Sequence, residues 1–304
     1  MYFEVADITA SIPLLILWGA VVGLVFSTVG AAGGILASFG LITIFAIQDP
    51  NLVKPMAQSL TLVTPLIAVP LYIHQCRVMY LLAALLGAGG ILGAIIGSSL
   101  SAVWLSDMDL FKPVFAILVF FIAGQMIWQL IRPGQRSSEL SHTMRAAEAF
   151  EMQVRRGGEV CEMGVKLLHF SWSKVIVQFG NEQFSYRPWL PFTVGMAVAV
   201  LSSALGVGGG FLLVPFMSII MRLPMYVIAG TSALAILIHS VTSIGNYIRM
   251  GVDLDYYLLV FLLSGVIIGS AVGPVISRYI PEKALRVLLC MVLVFIGFRY
   301  VGLF

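Results

Sequence analysis

The chain has 304 residues, 60% of them hydrophobic and only 10% charged, with a formal net charge of +3, whereas ordinary soluble domains carry roughly 25% charged residues. That composition excludes a soluble globular domain and describes an integral membrane protein, and so small a net charge gives no reason to expect a nucleic-acid partner. Cys76, Cys161 and Cys290 are too far apart for a zinc or redox motif, so no metal, cofactor or cysteine chemistry is expected.

Glu4 and Asp7 precede the first apolar run without a Lys or Arg, so it lacks the basic leader of a cleavable signal and is expected to be retained. That run covers 11–30. At 27–36 the chain reads STVGAAGGIL and continues as a short run, 34–47; spans follow at 57–73, 80–104 and 111–131. A polar stretch, 132–187, interrupts the pattern. Spans then resume at 189–205, 227–245, 256–278 and 284–303, with SALGVGGGFL at 203–212 leading into a second short run, 210–221. Each short run covers about 20 Å of a hydrocarbon core about 30 Å thick, so each reads as a partial or bent span.

The two halves repeat each other. Gly30, Gly33 and Gly34 fall on Gly206, Gly209 and Gly210, Gly89, Gly93 and Gly97 fall on Gly265, Gly269 and Gly273, and Gln58-Ser59 meets Thr231-Ser232. Five segments per half is odd, so the second copy is expected to enter the membrane upside down. The predicted fold is therefore an all-α polytopic membrane protein: an inverted repeat of two five-segment halves, 1–131 and 188–304, with broken or short helices and a small α+β cytoplasmic insertion at 132–187. Within the insertion, 139–156 suits an amphipathic helix, and 165–189 alternates like short strands with a turn at Gly180-Asn181. His142 and His169 match no metal spacing.

Orientation follows from Lys and Arg. Arg77, Arg222, Arg278, Lys283, Arg286 and the basic residues of the insertion share one side, against Lys54, Lys112, Arg249 and Arg299 on the other. The positive-inside rule places the insertion in the cytoplasm and both termini outside it.

The glycines divide into two kinds. Those spaced by four, Gly89, Gly93, Gly97 and their counterparts, read as close helix packing. The consecutive ones read as helix breaks, where the first N–H groups of the next helix lack intrahelical partners and face an anion. Gln58, Ser59, Thr231 and Ser232 are expected to line that site, and His239, an ionisable group inside a span, is a candidate proton partner. No Asp or Glu lies deep in a span, and there is no Ser-His-Asp set, paired acid site or P-loop, so neither an enzyme nor an ATP-driven pump is expected.

VGAAGGIL at 29–36, LGVGGGFLLVP at 205–215, GTSA at 230–233, NYIRMGVD at 246–253 and GFRYV at 297–301 resemble the sulfite exporter TauE/SafE family, also called the toluene sulfonate uptake permease family. The chain departs from strict symmetry at Ala32 opposite Gly208 and Phe39 opposite Pro215, and in its long insertion. The resemblance implies a bacterial inner-membrane carrier of a small sulfur oxyanion or organosulfonate: sulfite, a sulfonate such as sulfoacetate, or thiosulfate. The expected substrate-binding set is Gly30, Gly33, Gly34, Gln58, Ser59, Gly206, Gly208, Gly209, Gly210, Thr231 and Ser232, with export by alternating access. Two alternatives stand beside it, a membrane sensor or assembly subunit acting through the insertion and an anion channel. A homo-oligomer, or a cytoplasmic partner on 132–187, is left open.

Overall fold

The computed structural model describes residues 1–29, 33–131, 165–171, 173–179, 182–221, 223–276 and 282–301. The expected helix at 139–156, the turn at Gly180-Asn181, Gly30, His142 and Cys161 lie outside them. A short hairpin, β1 Tyr2–Phe3 paired antiparallel with β2 Ile8–Thr9, leads into α1 Ile12–Val29. Then come α2 Gly33–Phe39, a π-helical turn Gly40–Ile44, α3 Pro50–His74, α4 Tyr80–Trp104 and α5 Met108–Ile131. A three-stranded antiparallel meander follows, β3 Lys166–Phe170, β4 Val175–Phe179 and β5 Glu182–Tyr186. The second half is α6 Trp189–Leu205, α7 Gly210–Pro215, a π-helical turn Phe216–Ile220, α8 Met225–Arg249, α9 Tyr256–Ile276 and α10 Glu282–Val301.

Four helices, at Pro50–His74, Tyr80–Trp104, Met108–Trp128 and Val227–Arg249, are long and apolar enough to cross a membrane, and the others are shorter apolar helices. This is a multi-pass helical membrane protein. Helix α3 begins earlier than hydropathy suggests, at Pro50 rather than 57, because Asp49 caps it, its carboxylate accepting from the Asn51 N–H at 2.8 Å, with Pro at the first helical position.

The element order repeats through the two halves. Both short runs continue through a π turn, and the two π turns occupy equivalent places. Phe45 N–H donates to Gly40 O at 2.9 Å and Ile47 N–H to Leu41 O at 3.0 Å; Met221 N–H donates to Phe216 O at 3.2 Å and Leu223 N–H to Met217 O at 3.0 Å. These wide loops bring the chain out of each short helix without leaving carbonyls unpaired, a requirement in lipid.

Packing also exchanges between halves. The first helix of each half lies against the fourth helix of the other, α1 on α9 and α6 on α4, while α5 packs on α10 and α3 on α8. The glycines spaced by four explain the closeness: Gly89, Gly93 and Gly97 of α4 meet the backbone of α6 at Phe192, Met196 and Val200, and Gly265 and Gly269 of α9 meet α1 at Ile16 and Ala20. No side chain would fit at these crossings.

Each half has a β element ahead of its first helix that joins the core around its own short helix. Phe3 and Ile8 share a packed cluster with Leu41, Ile42, Phe45 and Ile47, and Asp255, buried before α9, accepts from Ala6 N–H at 3.3 Å and from Leu258 N–H at 3.0 Å. Val175, Val177 and Phe179 of β4 share the other cluster with Leu213, Phe216, Met217, Leu223 and Val227. Tyr300 of the GFRYV motif ties α10 to the first π turn, its hydroxyl 3.0 Å from Thr43 Oγ1. Cys290 is free and buried, whereas Cys76 is disulfide-bonded, which corrects the expectation that no cysteine carries chemistry.

Candidate functional site

Helix α6 ends inside the protein, and three other helices cap it. Gly206 takes the left-handed conformation, φ 74°, and its N–H and that of Val207 return to Ser202 O at 2.9 and 3.2 Å, the usual glycine stop. The last carbonyls still need donors, because no water reaches them in lipid. Gln58 Nε2 of α3 donates to Ser202 O at 3.0 Å, Tyr247 of α8 donates its hydroxyl to Ser203 O at 3.0 Å, and Ser101 of α4 donates to Ala204 O at 2.6 Å. The polar residues of α3, α4 and α8 thus hold a helix break open.

The segment beyond the break, Gly206–Gly210, is buried along its whole length. Both Gly206 and Gly208 have positive φ, 74° and 71°, which favours glycine at each. The walls come from both halves. A Cβ at Gly206 would lie 2.7 Å from Lys54 Cα; one at Gly208, 3.1 Å from Thr61 Oγ1; and one at Gly209, 2.9 Å from His239 Nε2 and 3.0 Å from Val198. Gly34, at the start of α2, abuts the Val207 carbonyl so closely that a Cβ would collide with it. The glycine break of the first half therefore touches that of the second. The first amides of α7, like those of any helix, have no carbonyl one turn upstream within the helix.

Several buried polar atoms of α3, α6 and α8 make no hydrogen bond: both ring nitrogens of His239, Gln58 Oε1, and the hydroxyls of Ser202, Ser240 and Ser243. A buried polar group without a partner costs about 1–3 kcal/mol. His239 is 2% exposed and is faced by Gly90 of α4 and by Gly209. Its position along α8 continues one turn apart through Ser243 to Tyr247, both fully buried.

Of the other residues expected at the site, Gly33 packs on Phe26 of α1. The hydroxyls of Ser59 and Ser232 donate within their own helices, to Pro55 O at 2.8 Å and Ala229 O at 3.4 Å. Thr231 Oγ1 accepts from Met79 N–H at 3.1 Å ahead of α4, about 12 Å along the axis from His239. The structure thus brings Gly34, Gln58, Gly206, Gly208, Gly209 and His239 together, and gives Ser59, Thr231 and Ser232 backbone partners.

Sequence reasoning missed Lys54, Ser101, Ser202 and Tyr247. Lys54 counted only toward topology, yet it is fully buried in α3. Its ammonium donates to Asn51 Oδ1, Ser101 O and Leu105 O at 3.1, 3.2 and 2.7 Å, capping the carbonyl end of α4, where a positive charge is favoured. The available signal was a lysine inside an apolar helix.

The protein is thus a polytopic helical membrane protein in which two short helices meet beside buried polar side chains. The chain belongs to the sulfite exporter TauE/SafE family, whose model matches residues 15–300. It is also similar to the probable membrane transporter protein YunE of Bacillus subtilis (strain 168), 28% identical over 123 residues, a stretch covering 40% of this chain and 45% of that relative. No solved structure matches the chain.

Proposed function

We propose that this protein is a secondary transporter of a small sulfur-containing anion (sulfite, a sulfonate such as sulfoacetate, or thiosulfate) that exports its substrate across a bacterial inner membrane by alternating access. The supporting observation is the meeting of the two glycine breaks at Gly34 and Val207, beside buried His239 and Gln58 atoms that make no hydrogen bond. Amides of Gly208, Gly209, Gly210 and, from the first half, Gly30, Gly33 and Gly34 supply donors to the anion, as helix starts do. The exchange of partners between halves, α1 on α9 and α6 on α4, supports an inverted repeat whose halves rock about this point.

Direction follows from the membrane potential. An interior-negative potential favours an anion leaving by about 2.3 kcal/mol per charge per 100 mV, so export needs no coupling ion. The insertion and its side of the membrane are assigned to the cytoplasm by the Lys and Arg distribution. The disulfide at Cys76 pulls the other way, because cytosolic thiols are kept reduced.

The test is thermal stabilisation of the purified full-length protein by sulfite, thiosulfate, sulfoacetate, taurine, sulfate and chloride, followed by counterflow in proteoliposomes. Binding stabilises by about 2.7 kcal/mol at a hundredfold excess over Kd. Saturable counterflow of one sulfur anion supports the carrier; flux without saturation points to a channel; no binding and no flux overturns transport and favours a sensor acting through the insertion.

A further inference from the structure

We propose that the groove between α5 and α10 holds one acyl chain of an anionic phospholipid whose headgroup lies at the start of α10. The groove has a volume of about 440 Å³ and is lined by Ile127 of α5 and by Val287, Met291, Val294, Phe295 and Phe298 of α10. These side chains suit hydrocarbon and offer a polar ligand no strong partner. Helices α5 and α10 pack on each other, and the groove opens away from the core: Met291 and Phe295 are 58% and 56% exposed. In a membrane that open side meets lipid tails rather than water.

Val287, Met291, Val294 and Phe298 recur at the spacing that keeps residues on one face of a helix, so the groove runs along α10 rather than across it. From Val287 to Phe298 the helix rises about 16 Å, about half of a hydrocarbon core about 30 Å thick. That is the depth of one leaflet. Spread over this length, the volume gives a cross-section of about 27 Å². An α-helix of a second copy, about 10 Å across, is too wide for it, whereas a single acyl chain is not. The mouth of the groove is at Val287, near the start of α10 at Glu282 and beside the end of α5 that leads into the insertion. Lys283 stands one turn before Val287 on the face that the groove follows. Glu282 is one turn from Arg286, the spacing at which opposite charges pair on a helix, so Lys283 leaves a positive charge over. The dipole at the start of this 20-residue helix adds to it. An apolar slot one leaflet long with a basic mouth complements a phospholipid with a negative headgroup. A chain seated there ties α10 to α5, and α10 in turn holds the first π turn through Tyr300 and Thr43, so binding should stabilise the protein.

The experiment titrates the delipidated full-length protein in an uncharged detergent with phosphatidylglycerol, with phosphatidylcholine carrying the same tails, and with inorganic phosphate. Native mass spectrometry counts bound lipid and the melting midpoint follows occupancy. Phosphatidylglycerol should saturate a site at one per chain, about fivefold more tightly than phosphatidylcholine, and phosphate alone should leave the midpoint unchanged. Lys283→Gln should bring phosphatidylglycerol down to the affinity of phosphatidylcholine. Val287→Trp and Val294→Trp fill the groove at two levels, so that one folded variant suffices, and either should remove saturable binding of both lipids. Ile117→Trp, on an exposed position of α5 outside the groove, should leave binding as it is. Equal affinity for the two lipids, phosphatidylglycerol binding undiminished in the groove variants, or stabilisation by phosphate alone each overturns the proposal. So does a dimer that the groove variants dissociate, since a second copy would then cover this face. None of these readouts involves transport, so they leave the proposed function standing.

Discussion

The imidazole of His239 occupies the place where a side chain at position 209 would begin: a Cβ on Gly209 would lie 2.9 Å from Nε2 and 3.1 Å from Cε1. Gly209→Ala therefore needs no backbone clash to act, since the atoms in the way are the side chains of His239 and Val198. We expect this variant to fold with a stability loss of about 1–2 kcal/mol and to bind the sulfur anion at least about tenfold more weakly. Thermal melts with and without ligand measure both; unchanged affinity would remove His239 from the site.

Gly34 presents a harder constraint, because its neighbour is the Val207 carbonyl rather than a side chain. Backbone cannot rotate away as an imidazole can, so Gly34→Ala should cost more than Gly209→Ala, about 3 kcal/mol, and abolish transport. Gly124 of α5 is the control: nothing lies within 4 Å of a Cβ there, so Gly124→Ala should be neutral or stabilise by up to about 1 kcal/mol through helix propensity.

Lys54→Met keeps the length of the side chain but withdraws the donor from Ser101 O, Leu105 O and Asn51 Oδ1. It also removes the ammonium that lies 5.3 Å from the centroid of the Phe111 ring. Leaving acceptors unpaired at the end of α4 should destabilise the protein by about 1–3 kcal/mol. Folded-state yield in detergent and the melting midpoint report it, and a stability equal to wild type would show that water or another donor reaches that helix end.

The sheet of the insertion is part of the membrane domain's core, since Val175 and Phe179 are almost fully buried in the cluster that holds Phe216 and Met217. Phe179→Ser should therefore lower stability by about 3 kcal/mol or more. Tyr186 makes the opposite test. Burial holds its phenol well above the usual range, and its hydroxyl has no hydrogen-bond partner, so Tyr186→Phe should be neutral or stabilising. Removing 135–184 would delete β3 and β4 and most of β5, and so confuse unfolding with loss of function; removing 135–164 is the informative deletion.

The Cys76 loop decides orientation. Charge bias places it in the cytoplasm, and its disulfide is at home in an oxidising compartment. On intact cells after mild reduction, a membrane-impermeant maleimide should leave a variant with Cys76 as its sole cysteine unlabelled if the charge bias governs. Labelling would reverse the assignment of both termini and of the insertion.

The membrane class, the recurrence of a glycine cluster ahead of each short apolar run, and short strands within 165–189 were legible in the order of residues alone. Composition, a repeating offset and strict alternation are properties of neighbouring residues, and lipid leaves the backbone few choices. The glycines spaced by four were legible for the same reason, since their spacing on one helix face already states that a backbone crosses there. Which polar groups remain free was settled by how the helices pack. Gln58, Thr231 and Ser59 all looked like donors for an anion, but Gln58 spends its amide nitrogen on the broken end of α6, Thr231 serves Met79, and Ser59 bonds its own helix. Lys54 looked like a topological charge and is a buried helix cap. A side chain's type fixes how many hydrogen bonds it can make, but only folding brings the distant carbonyls and amides that use them up.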